Sequence, residues 1–508
     1  MSNTNNIDAY SRSQIKKGTV LSYLALGLNI ISGLLFTPWL IHQIGKSDYG
    51  IYSIGTSIIA LLIMDFGISD AVAKYVAQYQ AEGNENKIND LLSLVSKIYL
   101  ILALFFLFVF LVLYFFLNHI YLSLSASELI KLKTVYIIVA SYNVFAFIFT
   151  PLSGIMLAYE HIVSLKLCDI IYRILVIIVS VIAIMLGQGL LAAVLANVIA
   201  GIIVILYKLS IIRKHHNIKL NLGYKNPKLL KEVLSFSIWI AVLVITQRCI
   251  YSITPSILGA ISGSSEVTLF SLASTLEGYA YSFGSVMATL FLAKITRQLM
   301  SNDISGFTKL TINIGKLQFI LISIILVGFF CDGKNFIELW MGKGYESIYH
   351  MTLFLLIPSV LLWPFMTAST GLTVKSLVKE QALVNLGAAI INILLELFLV
   401  GRYGAVGAAI SISFANTFKA LALILVYQQF LPIRIKDFMY EIFFKYTGAA
   451  IVTTILSKFL ISLISISNLR MNFVLNGVVT LGLYAVLIFF TVILFDKAFL
   501  KEISILRR

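Results

Sequence analysis

Thr37-Pro38-Trp39 closes one apolar run, Gly45-Lys46-Ser47-Asp48-Tyr49-Gly50-Ile51-Tyr52 makes a polar turn, and a second apolar run closes at Asp65-Phe66-Gly67. No Asp, Glu, Lys or Arg occurs from Gly18 to Ile41 or from Ile51 to Met64. The first run exceeds the ~20 residues that a helix needs to cross a bilayer. The stretch therefore reads as the loop between two membrane helices, and the chain repeats that plan to its end.

Composition agrees. Of 508 residues, 59% are hydrophobic and only 12% charged, with mean hydropathy +0.96, whereas a soluble domain carries about 25% charged residues. The reading is an all-α polytopic membrane protein. A net charge of +15 would suggest nucleic acid in a soluble chain. Here the Lys and Arg gather in short loops between apolar runs, as cytoplasmic anchoring requires, so no nucleic-acid partner is expected.

Cys168, Cys249 and Cys331 are far apart and form no CxxC pair, so neither a disulfide framework nor a zinc site is signalled. Adjacent His215 and His216 point to different sides of a helix and read as solvated linker residues. Arg12, Lys16 and Lys17 before the first apolar run superficially suggest a signal peptide. That run is longer than a signal peptide's apolar region and has no small-x-small cleavage site, so it reads as an uncleaved first span.

Apolar windows bounded by charge or turn residues give fourteen candidate spans. Six lie near 18–41, 50–73, 98–118, 133–158, 162–186 and 188–207. A basic linker leads to six more near 233–261, 266–292, 312–331, 350–373, 380–400 and 404–427, and two follow near 442–464 and 472–495. The expected domains are a six-helix lobe at 1–207, a linker at 208–232, a second six-helix lobe at 233–427, and two further helices with a tail at 428–508. With the N-terminus inside, about 27 Lys and Arg fall on the cytoplasmic side and about 7 outside, which favours an even span count with both termini cytoplasmic.

The lobes show weak internal similarity. Thr37-Pro38 in span one corresponds to Thr254-Pro255 in span seven, and Gly189 to Ala196 corresponds to Gly404 to Ser411. Small residues at such spacing let membrane helices approach closely and also arise from ordinary packing. Corresponding helix-breaking prolines in two halves are a mark of repeat-built transporters.

Gly45-x-x-x-Tyr49-Gly50-x-Tyr52, then Asp65-Phe66-Gly67 and the basic Lys74 in Ala71-Val72-Ala73-Lys74-Tyr75, resembles the opening of the polysaccharide biosynthesis proteins, the Wzx-type lipid-linked oligosaccharide or O-antigen flippases. Their superfamily also holds multidrug and toxin exporters and the peptidoglycan-precursor flippase. The resemblance implies two pseudo-symmetric six-helix lobes plus two C-terminal helices in the bacterial inner membrane. It implies transport of an undecaprenyl-pyrophosphate-linked oligosaccharide by alternating access, without a cofactor. Membrane lipids, a polysaccharide polymerase and glycosyltransferases are the implied partners. The family often concentrates basic residues in the first lobe's cavity, yet the first span here is uncharged, so the cationic site must lie elsewhere.

Ionisable groups inside spans cost about 2.5–3.5 kcal/mol at a helix centre and are functional candidates by default. Arg173 shares a helical face with Lys166 and Asp169. It is either a guanidinium for pyrophosphate or one half of a structural pair with Asp169. Arg248 has no acidic residue within a helical turn and is the leading ligand candidate. Glu277 has no basic neighbour in sequence and either pairs with Arg248 or serves ion coupling by protonation. Lys419 is a further cavity cation, with Glu396 and Lys458 read as snorkelling toward span ends. Asp65 and Lys74 read as gating or capping groups, and Lys294 and Arg297 as a cytoplasmic rim. Trp39, Trp239, Trp340 and Trp363 read as interfacial anchors.

There is no GxxxxGK[ST], HExxH or GxSxG motif, so neither ATP use nor hydrolase chemistry is signalled and no metal or catalytic residue is expected. Two alternatives stay open, a multidrug exporter and a peptidoglycan lipid-precursor flippase of the same superfamily.

Overall fold

The computed structural model describes residues 2–216, 218–375, 377–463, 468–497 and 499, and among them there are helices and no strands. Helix covers each of the fourteen windows. Eleven described helical stretches are long and apolar enough to cross a membrane. The chain is an all-α polytopic membrane protein. Windows 380–400 and 404–427 run together as Val378–Phe430, broken where Gly404 takes φ 54. The 50–73 window divides into Lys46–Leu62 and Ile68–Ala81, because Phe66 (φ 53) and Gly67 (φ 72) turn the chain left-handed between them. Along Glu85–Ile120, Leu104, Phe108, Leu111 and Phe115 are more than half exposed, a belt that only lipid can cover.

Two compact units divide the chain, Met1–Thr268 and Leu269–Arg508. In the first, the opening motif has a packing explanation. Gly45 ends the first helix at φ 91, a conformation costly for a residue with a Cβ. A Cβ at Gly50 would lie 1.9 Å from the Ser264 carbonyl oxygen. Ser47 and Ser264 both donate to Glu128 Oε1, at 2.5 and 2.6 Å, and Lys131 pairs with Asp48 at 2.6 Å. Glu128 in turn closes a capping box with Ser125 at the start of Ala126–Ile148. The helices Pro227–Tyr251 and Thr254–Ile261 pack in this unit, where a Cβ at Gly259 would strike Ile54.

Gly50→Ala is accordingly expected to cost about 1–3 kcal/mol by overpacking, because a backbone carbonyl cannot swing aside. Gly27→Ala, with nothing within 4 Å of the added methyl, is the control. Thermal unfolding in detergent should show a lower Tm for the first alone; equal values would remove the close approach from the account.

The corresponding prolines behave differently. Pro255 starts a new helix after a break at Ser252–Ile253, whereas Pro38 is carried inside Ser2–Ile44. Only one of them breaks its span, since membrane helices tolerate proline where neighbouring groups satisfy the freed backbone.

His216 is not a solvated linker residue. It stacks on Tyr159 with ring centroids 3.6 Å apart, and its Nε2 lies 3.1 Å from that of His161. The following linker is pinned as well, Lys219 N donating to Asn89 Oδ1 (3.0 Å) and Asn221 N to Ser93 Oγ (2.8 Å). Burial, then His161 and His215, holds His216 down at about 4; burial, then His215, lowers His161. These folded-state values lie below the unfolded value of ~6.5, so the stabilisation is complete above that pH and is lost as pH falls from ~6.5 toward 4. Tm should drop between pH 7.5 and 5, and His216→Phe, which keeps the stack, should flatten that dependence. An unchanged slope in the variant would place the titration elsewhere.

The second unit builds its core on Ile304–Met341, around which Phe307, Phe319, Phe365, Phe438 and Tyr446 are buried. Trp363 is 1% exposed, its ring against Gly284, and is a core residue rather than an interfacial anchor. A missing Cβ at Gly284 is what admits the indole. Trp39 and Trp340 are half-buried, and the side chain of Trp239 lies outside the described residues. Glu396 is fully buried and accepts from Asn392 at 3.0 Å, so it does not snorkel, while Lys458 is exposed with its Nζ over the Phe330 ring.

Candidate functional site

Ile162–Met185 and Leu190–His215 form a hairpin turned by Gly187 (φ 80) and Gly189 (φ 48), and the first helix packs against it. Between these helices and Ala126–Ile148 lies a cavity of about 640 Å³. That is room for many waters at ~30 Å³ each. Its charged lining is Lys166, Arg173, Lys208 and Asp169, three cations to one carboxylate.

Arg173 is at the middle of its helix, the depth at which an unrelieved charge is most costly. The sequence offered Asp169 as its partner. In the structure Asp169 pairs instead with Lys166 at 3.2 Å, while Arg173 donates from Nε to Ser32 Oγ at 2.9 Å. The i,i+3 spacing serves Lys166 and Asp169 as well as i,i+4 would serve Arg173, and the first helix supplies a hydroxyl within reach. A fixed Nε leaves the outer edge of the guanidinium fork as the group to meet an anion.

The next residue back is held equally firmly. Tyr172 donates to Asn197 Oδ1 at 2.7 Å, and Asn197 Nδ2 donates to Tyr52 Oη at 3.1 Å. Tyr52 closes the opening motif, so that motif supports the cavity wall through one asparagine. Nothing in the spacing of Tyr52, Tyr172 and Asn197 announces this chain. At the cavity's other end Lys208 donates to Ser153 Oγ at 2.9 Å.

The other expected residues are dispersed. Arg248 sits in the last turn of Pro227–Tyr251, half-buried, its carbonyl accepting from Ser252 and Ile253 at the break before Pro255. It is not part of the cavity lining. In the second unit Glu277 is 7% exposed, and its electrostatic partner there is Lys419, on the far half of Val378–Phe430. Asp65 caps Ile68–Ala81: its Oδ2 accepts from Ser69 N at 3.0 Å, its Oδ1 from Ser69 Oγ at 3.1 Å and from Tyr99 Oη. Lys74 is exposed with its Nζ 5.1 Å from the Tyr75 ring centroid, and Lys294 and Arg297 are exposed on Leu292–Met300. Among the described residues no group of three or more His, Cys, Asp or Glu is placed to hold a metal ion.

Membrane-crossing helices of the first unit thus enclose a polar, cation-lined cavity in a multi-pass membrane protein. The family model for polysaccharide biosynthesis protein matches residues 15–293, more than half of the chain. This chain belongs to that family. Its fold is similar to that of the lipid II flippase MurJ in an inward closed conformation, at 16% identity and TM-score 0.70, covering 92% of this chain and 97% of that one. It is also similar to an inward-facing multidrug resistance MATE family transporter of the MOP superfamily (13%, 0.67, 84% and 98%). A MOP superfamily transporter from Pyrococcus furiosus gives 13%, 0.59, 82% and 95%. At these identities the likeness is one of fold. A search of the curated proteins found no match.

Proposed function

We propose that this protein flips an undecaprenyl-pyrophosphate-linked oligosaccharide, a surface-polysaccharide repeat unit such as that of O-antigen or capsule, across the bacterial inner membrane by alternating access. The observation that carries the reading is the cavity beside Arg173, where three cations face one carboxylate and Arg173 stands at mid-helix. A diphosphate stripped of water needs such replacement charge, and an arginine fork matches phosphate oxygens two at a time. Arg173 takes the pyrophosphate as the substrate enters. Arg248, in the first unit, and Lys419, in the second, are further cations for the substrate. Helices of segment 428–508 accompany the polyprenyl tail, both termini face the cytoplasm, and the protein performs no covalent step.

Glu277 provides the ion coupling. It is buried within the electrostatic reach of Lys419, so a proton or small cation arriving there changes the local charge balance in a place water reaches poorly. The family match favours the oligosaccharide substrate, and the fold shared with a lipid II flippase supports a second reading, a peptidoglycan lipid precursor, whose pyrophosphate chemistry is the same.

Flipping of fluorescent lipids in proteoliposomes tests both. Undecaprenyl-pyrophosphate oligosaccharide should cross faster than lipid II, faster still under a proton gradient, and Glu277→Gln should abolish only the gradient's effect. Preference for lipid II would substitute the second reading. Export of organic cations with neither lipid moving would overturn both.

A further inference from the structure

In the second unit Ile304–Met341 and the last described helix, Leu469–Phe495, run antiparallel, and polar groups join them at three levels. At the first, Lys316, 3% exposed, pairs with Glu441 Oε2 at 2.7 Å and with the carboxylate of Asp496, just past the last helix; Lys445 holds Glu441 Oε1 at 2.7 Å, and Tyr446 donates to Asp496 at 3.0 Å. Charges match there. At the second level Tyr484 donates to the Ile320 carbonyl at 3.0 Å. Donor again meets acceptor.

The third level does not balance. Asp332 and Asn476 are 6% and 1% exposed. Asn476 Nδ2 donates to Asp332 Oδ1 at 2.9 Å, and Asn335 Nδ2 donates to that same oxygen at 2.7 Å. Both donors are spent on one carboxylate oxygen. Asp332 Oδ2 and Asn476 Oδ1 are buried without a hydrogen-bond partner, and so is Asn472 Oδ1, one turn back on the same face as Asn476. Three acceptor oxygens have nothing to accept. Turning the Asn476 amide over would set its oxygen against a carboxylate oxygen, so the surplus does not come from the amide's orientation. Among the described residues no cation pairs with Asp332: Lys334 and Lys458 stand over the Tyr349 and Phe330 rings, 5.5 and 4.0 Å from the centroids. A carboxylate buried without a counter-charge is costly.

We propose that a sodium ion binds between these two helices, with Asp332 Oδ2 and the amide oxygens of Asn476 and Asn472 as its protein ligands. Hard oxygen donors suit such an ion rather than a transition metal, and one carboxylate balances one positive charge, where calcium sites gather several. A proton on Asp332 would satisfy at most two of the three oxygens. The direct bond from Asn476 to Asp332 keeps the helices close, which favours a small ion. Two of the three ligands are amides, so a search for grouped His, Cys, Asp and Glu does not meet the site. It uses neither the Arg173 cavity nor Glu277, and it stands whatever substrate the protein moves.

The test uses full-length protein carrying Glu277→Gln, which silences the coupling carboxylate, purified without sodium and titrated with sodium chloride against choline chloride at constant pH and ionic strength. Sodium should raise Tm by several degrees, because an ion that binds only the folded state stabilises it by mass action. Adding Asp332→Asn should weaken sodium binding about tenfold or more and, with the buried charge gone, leave the sodium-free protein no less stable. Adding Asp437→Asn instead, at an exposed carboxylate of the same unit, should change neither. A Tm that ignores sodium, or a full response in Asp332→Asn, overturns the site. A larger response to calcium overturns the monovalent assignment. A Tm that rises as pH falls, equally with and without sodium and only while Asp332 is present, overturns the ion in favour of a proton.

Discussion

Arg173→Gln is expected to slow pyrophosphate-lipid flipping about 10- to 100-fold while leaving Tm within a degree or two of wild type. A hydrogen bond to a charged group contributes about 1.5–3 kcal/mol, and each 1.4 kcal/mol is a factor of ten. Stability should hold because, among the described residues, the one side-chain bond glutamine must replace is that to Ser32, and no carboxylate is abandoned: Asp169 keeps Lys166. Arg173→Lys retains charge without the planar fork and should fall between the two. Ser32→Ala frees the guanidinium to rotate, so it should cost less than losing the charge. Proteoliposome flipping rates with thermal unfolding of the same preparations decide the matter. Wild-type flipping by Arg173→Gln would sink the assignment of the phosphate to this cavity.

Much of the fold was legible because membrane spans write themselves in one dimension. The charge-free run from Gly18 and the stop at Gly45 appear where the sequence put them, whereas Lys46–Tyr52, read as a turn, is already helix, and the 50–73 window is broken at Asp65-Phe66-Gly67. The depth of Arg173 was legible for the same reason. Its partner was not: helix spacing says which groups share a face, but Ser32 comes from another helix 141 residues earlier and outcompetes the local carboxylate. Lys316 escaped notice because it stands near the edge of an apolar window, where snorkelling is the ordinary expectation. Asp496, 180 residues on, folds over it and closes off the water. Trp363 and His216 misled similarly, since an amphipathic ring reads as surface until a neighbouring glycine or tyrosine gives it a socket.

Lys316→Met is expected to be the most destabilising single change considered, at about 3–5 kcal/mol, because breaking a buried pair leaves an uncompensated charge. The two carboxylates respond differently. Glu441 is 29% exposed and keeps Lys445, whereas Asp496 is 7% exposed and would keep only the Tyr446 hydroxyl. The loss therefore falls on Asp496. It follows that Lys316→Met/Asp496→Leu should recover most of the stability, apolar replacement of a whole buried pair being close to neutral, while Lys316→Met/Glu441→Gln should recover little. Thermal unfolding of the three variants in one detergent measures this coupling. If the single variant unfolds with wild type, or if the glutamine rescues as well as the leucine, the charge on Asp496 is not what holds the C-terminal helices to Ile304–Met341.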